Sequence, residues 1–328
     1  MLKRFVGPWV LCLLKISHIS CISCVDVQEK GSGSAFKDEE LSTLSSLSPD
    51  QLRGCIVLLG KEQLSSNQSL AIWTSLIEVY GSAGDIPEDQ VQQLGWIVNG
   101  IPPSHFTNLS LTDVNTIASL GRCTELTEEQ LQKLKEAITD QWLGKELEDF
   151  TSYDLISLRQ ILCAYNSTSI QMIHPDAYKD AAPELATLKN CSQDVLKELA
   201  QLAMDEQAFG NPRTWTSVET GSVGCIIAGL SSIADIPAEA FEGITADIID
   251  CIPPEAFQAM TIKQVSRLTP SAANALFRRK VSLSSEKRYV LQSALSSQAE
   301  VRRSKASMNR LLDVEILTSI TFIVSSLS

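Results

Sequence analysis

Nine cysteines, three histidines and four Asn-x-Ser/Thr triplets are the residues of this 328-residue chain whose types and spacing could carry chemistry. Three cysteines, Cys12, Cys21 and Cys24, lie in an N-terminal stretch with the order of a secretory signal. Cleavage near Cys24 would leave Cys55, Cys123, Cys163, Cys191, Cys225 and Cys251. An even number in a secreted chain reads as disulfides, with the connectivity left open by counting alone. Neighbouring helices favour short-range pairs, so Cys163–Cys191 and Cys225–Cys251 are the expected bridges. The competing reading is buried free thiols in a cytosolic helical protein, because Cys packs well as a small hydrophobe. The triplets at Asn67, Asn108, Asn166 and Asn190 have no Pro at the middle position and are candidate glycosylation sites.

The remaining candidates for chemistry do not assemble into a catalytic motif. His18 lies in the presumed signal, and His105 occupies a repeat position held by Ala256 in the second copy. His174 precedes a helix start at Pro175. No Cys/His spacing matches a zinc site, and Gly31-Ser32-Gly33 lacks the strand–helix context of a phosphate loop. Glu128-Glu129 reads as first-turn charge at a helix N-terminus. The expectation is a protein without enzyme activity, metal or cofactor. A secreted hydrolase is disfavoured by the lack of a base–nucleophile motif.

The elements that position these residues begin with the signal, residues 1–24. Met1-Leu2-Lys3-Arg4 is followed by an apolar run from Phe5 to Leu14 and a zone of small residues. That run is too short to span a bilayer of roughly 30 Å as a helix. A buried N-terminal helix is the alternative. Residues 25–46 are polar and Gly/Ser-rich and read as a flexible lead-in. Residues 47–300 are expected to form one helical-repeat unit, and 301–328 a polar spacer and apolar tail. The tail, Ile316 to Ser328, carries no charge and follows small residues at Ser304, Ala306 and Ser307. This is the pattern of a glycosylphosphatidylinositol (GPI) signal, with Ser304 as the lipid-attachment candidate. A terminal amphipathic helix is the alternative.

One unit recurs between the ends. Asp85-Ile86-Pro87 is followed fifteen residues later by Ile101-Pro102-Pro103-Ser104-His105-Phe106. Asp235-Ile236-Pro237 is followed sixteen residues later by Ile252-Pro253-Pro254-Glu255-Ala256-Phe257. Pro suits the first position of a helix. An apolar residue just before the helix can staple onto one in its first turn, as Ile252 onto Phe257. Thr261 caps a short helix whose Ile262, Val265 and Leu268 share a face. Thr127-Glu128-Glu129-Gln130 is a capping box, Ser152 or Asp154 can cap Leu155 to Leu162, and Ser192 can cap Val195 to Ala203. Helices this short are marginal alone and persist by stacking on neighbours, as in a solenoid. An irregular helical bundle is the alternative.

Composition bounds the class. The chain is 44% apolar and 20% charged, with a formal charge of −12. That balance argues against binding nucleic acid, which needs clustered Lys and Arg on one face. Arg278-Arg279-Lys280 and Arg302-Arg303 are small basic clusters, read first as solvated helix ends.

The Ile-Pro-Pro-x-x-Phe units with their Thr/Ser-capped helices resemble the mesothelin, stereocilin and otoancorin family. Asp235-Ile236-Pro237-Ala238-Glu239-Ala240-Phe241 through Val265-Ser266-Arg267-Leu268 carries the likeness best, and it extends over roughly 46–300. The resemblance implies an all-α, right-handed superhelix of armadillo-like repeats at the cell surface. It further implies cell–cell or cell–matrix adhesion through a mucin-like glycoprotein or an extracellular gel, with a GPI membrane anchor. The alternative is a soluble secreted matrix component or ligand of the same fold. The Arg-rich processing site of mesothelin has no counterpart here, and no motif identifies partner-contact residues.

Overall fold

The computed structural model describes residues 21–141, 145–279 and 281–295, and every regular element among them is helical. Short α-helices alternate with one-turn and two-turn 3-10 segments, and the longest helix is Ser66–Tyr80, of 15 residues. None of the described helices is long and apolar enough to cross a membrane.

Local sequence explains why the pieces are short. Ser48, Ser65, Thr216 and Thr261 cap their helices through capping boxes, each closed by the residue three positions on. Thr127 and Gln130 form the same reciprocal pair. Thr151, rather than Ser152 or Asp154, caps Ser152–Leu158, with Asp154 closing the box. Pro103 is the first residue of its helix, as expected, while Pro87 and Pro237 sit one residue earlier, at the N-cap. At the second Pro-Pro pair the helix starts only at Ala256, with Glu255 at the N-cap position making no side-chain capping bond. Ile252 and Phe257 are both fully buried, as are Ile101 and Phe106 to within 1%.

Several elements pack on others about thirty residues away in the chain. Ser66–Tyr80 lies on the 3-10 segments Ser42–Ser46 and Gly95–Gly100. Ser152–Leu158 lies between Val114–Gly121 and Pro175–Leu185, and Ser217–Val223 lies on Ala238–Gly243. The apolar side chains form one continuous buried cluster from Ile22 to Leu291. Burial of such area, at roughly 25 cal/mol per Å², stabilises helices that would not survive singly.

Three glutamines, Gln130 and Gln264 buried and Gln68 half-buried, tie these layers together. The Gln130 amide donates to the carbonyls of Asn99 and Ile101, at 3.2 and 2.8 Å. Gln68 does the same to Ser34 and Phe36, and Gln264 to Ile233 and Ile236. In all three cases the glutamine oxygen accepts from the N–H of its own N-cap residue. One side chain therefore satisfies a helix start and the carbonyls of the preceding layer together.

Two expectations about the N-terminal boundary are corrected. Residues 25–46 are not a flexible lead-in: Cys24–Lys30 is a helix capped by Ser23, and Val27, Leu41 and Leu44 are fully buried. Ile22 is buried too, and its N–H donates to Thr43 Oγ1 at 3.0 Å. Cys24 is bonded to Cys55, so a cut near Cys24 would remove part of the core, and the folded unit starts no later than Ile22. Polarity misled because the buried residues are interleaved with Ser and Gly, which the chain needs for tight contacts. A Cβ on Gly33 would lie 2.4 Å from the Leu59 carbonyl oxygen. Residues 1–20, the tail 301–328 and Ser304 fall outside the described residues.

Candidate functional site: a basic groove over a glycine crossing

The structure joins Cys163 to Cys191 and Cys225 to Cys251, with Cα atoms 4.6 and 5.5 Å apart. Cys55 pairs with Cys24, leaving Cys123 as a free thiol. The six-cysteine set is thus corrected at Cys123. Its sulfur sits near the carbonyls of Gly95 and Ser119, and burial pushes the thiol up to about 12. A thiol held protonated is a poor nucleophile.

All four sequon asparagines are exposed. Asn166 caps Ser167–Ile170 through Oδ1, which accepts from Ser169 N–H at 2.7 Å. Asn190 has a left-handed backbone, φ 58°, and Asn108 follows the helix Pro103–Phe106. Asn67 differs: its partner Ser69 is fully buried and donates to the Trp96 carbonyl at 3.1 Å.

The histidines have structural settings. His105 Nδ1 accepts from the Trp73 indole N–H at 3.1 Å, while His174 is the exposed residue before Pro175–Leu185. No group of His, Cys, Asp or Glu among the described residues is arranged to hold a metal. Of the basic clusters, Arg279 is spent on the carbonyls of Ile249 and Ile252.

A groove of about 510 Å³ lies where residues 57–61, 92–99 and 119–124 meet. Its floor is set by a close backbone crossing at two glycines. A Cβ on Gly60 would lie 1.9 Å from the Leu94 carbonyl oxygen, and one on Gly95 would lie 2.4 Å from that of Gly60. Gly95 also has φ 53°, a conformation that favours glycine. The crossing is fastened by the Trp96 N–H, which donates to the Gly60 carbonyl at 2.9 Å.

Trp96 and Asn99 reach the groove from the 3-10 segment Gly95–Gly100, and Val57 and Lys61 flank it from the other strand of the crossing. Ser119, Arg122 and Cys123 close the far wall, at the end of Val114–Gly121. That wall is anchored by Glu88. Its carboxylate accepts from Asp113 N–H, Thr112 Oγ1 and Ser110 Oγ at 2.8, 2.7 and 3.0 Å. Burial pushes the Glu88 pKa up, but those hydrogen bonds outweigh it and hold the group below the usual carboxylate range.

None of the groove's lining side chains is acidic, although the chain carries a charge of −12. Lys61 and Arg122 are exposed, and neither joins an ion pair among the described residues. Glu62 is turned to Ser34. Arg122 also borders a crevice of about 30 Å³ containing Glu184, which is taken by Arg159. The Asn99 Oδ1 is buried without a hydrogen-bond partner. Sequence reasoning missed this site. The available signal was the five-residue spacing of Gly95 and Gly100, repeated in Gly224 and Gly229, where backbone meets backbone.

No sequence-family profile matches the chain. It is 29% identical to human otoancorin over 228 residues, 64% of this chain and 19% of that protein. Mouse otoancorin is 30% identical over 177 residues, covering 54% and 15% of the two chains. Human stereocilin is 25% identical over 182 residues, covering 55% and 10%. The chain spans less than a fifth of the length of these relatives. At modest identity over about half its length, the chain has otoancorin and stereocilin as homologues, and those proteins belong to the mesothelin-like family.

Proposed function

We propose that this chain is a non-enzymatic extracellular adhesion protein that attaches cells to a glycoprotein or gel matrix. The observation that carries this is homology to otoancorin and stereocilin in an all-helical chain cross-linked by disulfides. Family resemblance implies gel attachment for the inner-ear members, and disulfides persist in oxidising compartments. The layers stack as a right-handed superhelix of armadillo-like repeats. In support of that geometry, glutamine bridges recur at separations of 34, 31 and 31 residues. Glycans occupy Asn67, Asn108, Asn166 and Asn190, and a GPI lipid at Ser304 tethers the protein.

Expression of the full chain in secretory cells tests this reading. The expected product is glycosylated, is released from the cell surface by phosphatidylinositol-specific phospholipase C, and makes the cells adhere to a mucin or acellular gel. Appearance in the medium without phospholipase supports the same fold as a soluble matrix component. A cytosolic product that carries no glycan and confers no adhesion overturns the proposal.

A further inference from the structure

The groove over the Gly60–Gly95 crossing has the chemistry of a ligand site, and its features constrain what it takes. Its volume, about 510 Å³, lies within the range of small-molecule sites. Trp96 supplies an aromatic surface at one side. Lys61 and Arg122 supply two cations free of ion pairs, with no acid among the lining side chains. Asn99 adds a polar side chain to the lining. Gln93 and Thr124 add polar groups at the rim.

A long polyanion is a poor fit, because a chain of charge −12 repels it beyond the groove. A wholly apolar ligand would strand Lys61, Arg122 and Asn99. The fitting ligand has one anionic group, hydroxyl donors and a ring with an apolar C–H face.

We propose that this groove binds a single acidic saccharide unit of a glycan. Its carboxylate or sulfate lies against Lys61 and Arg122, and its ring lies on Trp96. The inference rests on the adhesion reading and deepens it by assigning the residues that hold the partner. The glycine crossing supports the site: Trp96 and Asn99 are borne on a segment packed backbone against backbone at Gly60 and hydrogen-bonded to its carbonyl. Preorganisation of this kind lowers the cost of ordering on binding.

The test is calorimetric titration of the full-length protein with 3′-sialyllactose, with galactose 6-sulfate and with neutral lactose. Saturation-transfer NMR identifies the bound protons. Binding of one or both acidic sugars without lactose is the expected result, and the two arms separate carboxylate from sulfate. Arg122→Gln and Lys61→Gln replace exposed side chains, so the fold is retained, as circular dichroism would check. Each is expected to weaken binding roughly tenfold, the effect of one charge-assisted hydrogen bond. Trp96→Phe keeps a ring and is expected to weaken it less. Equal binding of lactose, no binding of either acidic sugar, or unchanged affinity in Arg122→Gln overturns the inference.

Adhesion of the same variants to gel, run in parallel, separates the two claims. Wild-type adhesion that Arg122→Gln retains in full rejects the groove and leaves the adhesion reading intact. Acidic-sugar binding that is lost in Arg122→Gln, from a protein that confers no adhesion, supports the groove and rejects the adhesion reading.

Discussion

The side-chain amide of Gln264 donates to the carbonyl oxygen of Ile236, 2.7 Å away and 28 residues earlier in the chain. Gln264 is 1% exposed, so no water competes for that bond.

Replacing Gln264 with Leu strands the Ile236 carbonyl and the Thr261 N–H. The expected loss is about 2–4 kcal/mol, read as a lower urea midpoint. Gln264→Glu should cost more, since a carboxylate places a second acceptor against the carbonyls. The exposed neighbour change Lys263→Gln is expected to stay within about 0.5 kcal/mol.

Gly224→Ala should be severely destabilising. Its backbone has φ 56°, and the added Cβ would sit 2.2 Å from the Ala186 carbonyl oxygen. The two penalties together come to about 2–4 kcal/mol. Gly210→Ala shares a positive φ, 68°, but meets nothing within 4 Å, so only the conformational cost of about 1 kcal/mol is expected. Thermal unfolding of the pair separates collision from backbone strain.

Removing the Cys225–Cys251 bridge by a double Ser substitution frees a loop with a sequence separation of 26. The expected loss is about 2–4 kcal/mol. Denaturant midpoints with and without reductant check it: the wild type should fall on reduction, and the double variant should fall less.

Asp154 makes stability depend on acid pH. Burial pushes its pKa up, but hydrogen bonds from Lys145 and from the Thr151 hydroxyl and N–H outweigh that and hold it below the ordinary value. A lowered folded pKa contributes stability that is present above the unfolded value, near 3.9, and lost as pH falls through the folded one. Asp154→Asn should therefore flatten the unfolding midpoint against pH below about 4, while lowering it near neutrality. An unchanged acid slope would show that Asp154 does not govern it.

Much of this protein was decided by local sequence. Capping boxes at Thr127 and Thr261, Pro-initiated turns and the buried Ile252 and Phe257 are set by interactions within a few residues, so spacing along the chain exposes them. Tertiary structure alone decided the rest. Cys24 joins Cys55, and Cys123 stays a shielded thiol, because backbone neighbours far apart in sequence choose the pairs. The role of Gln264, Gln130 and Gln68 as ties between layers depends on carbonyls roughly thirty residues away, which a local pattern cannot register. The groove is of the same kind: Lys61, Trp96, Asn99 and Arg122 come from separate turns, brought together where Gly60 and Gly95 let two backbones touch.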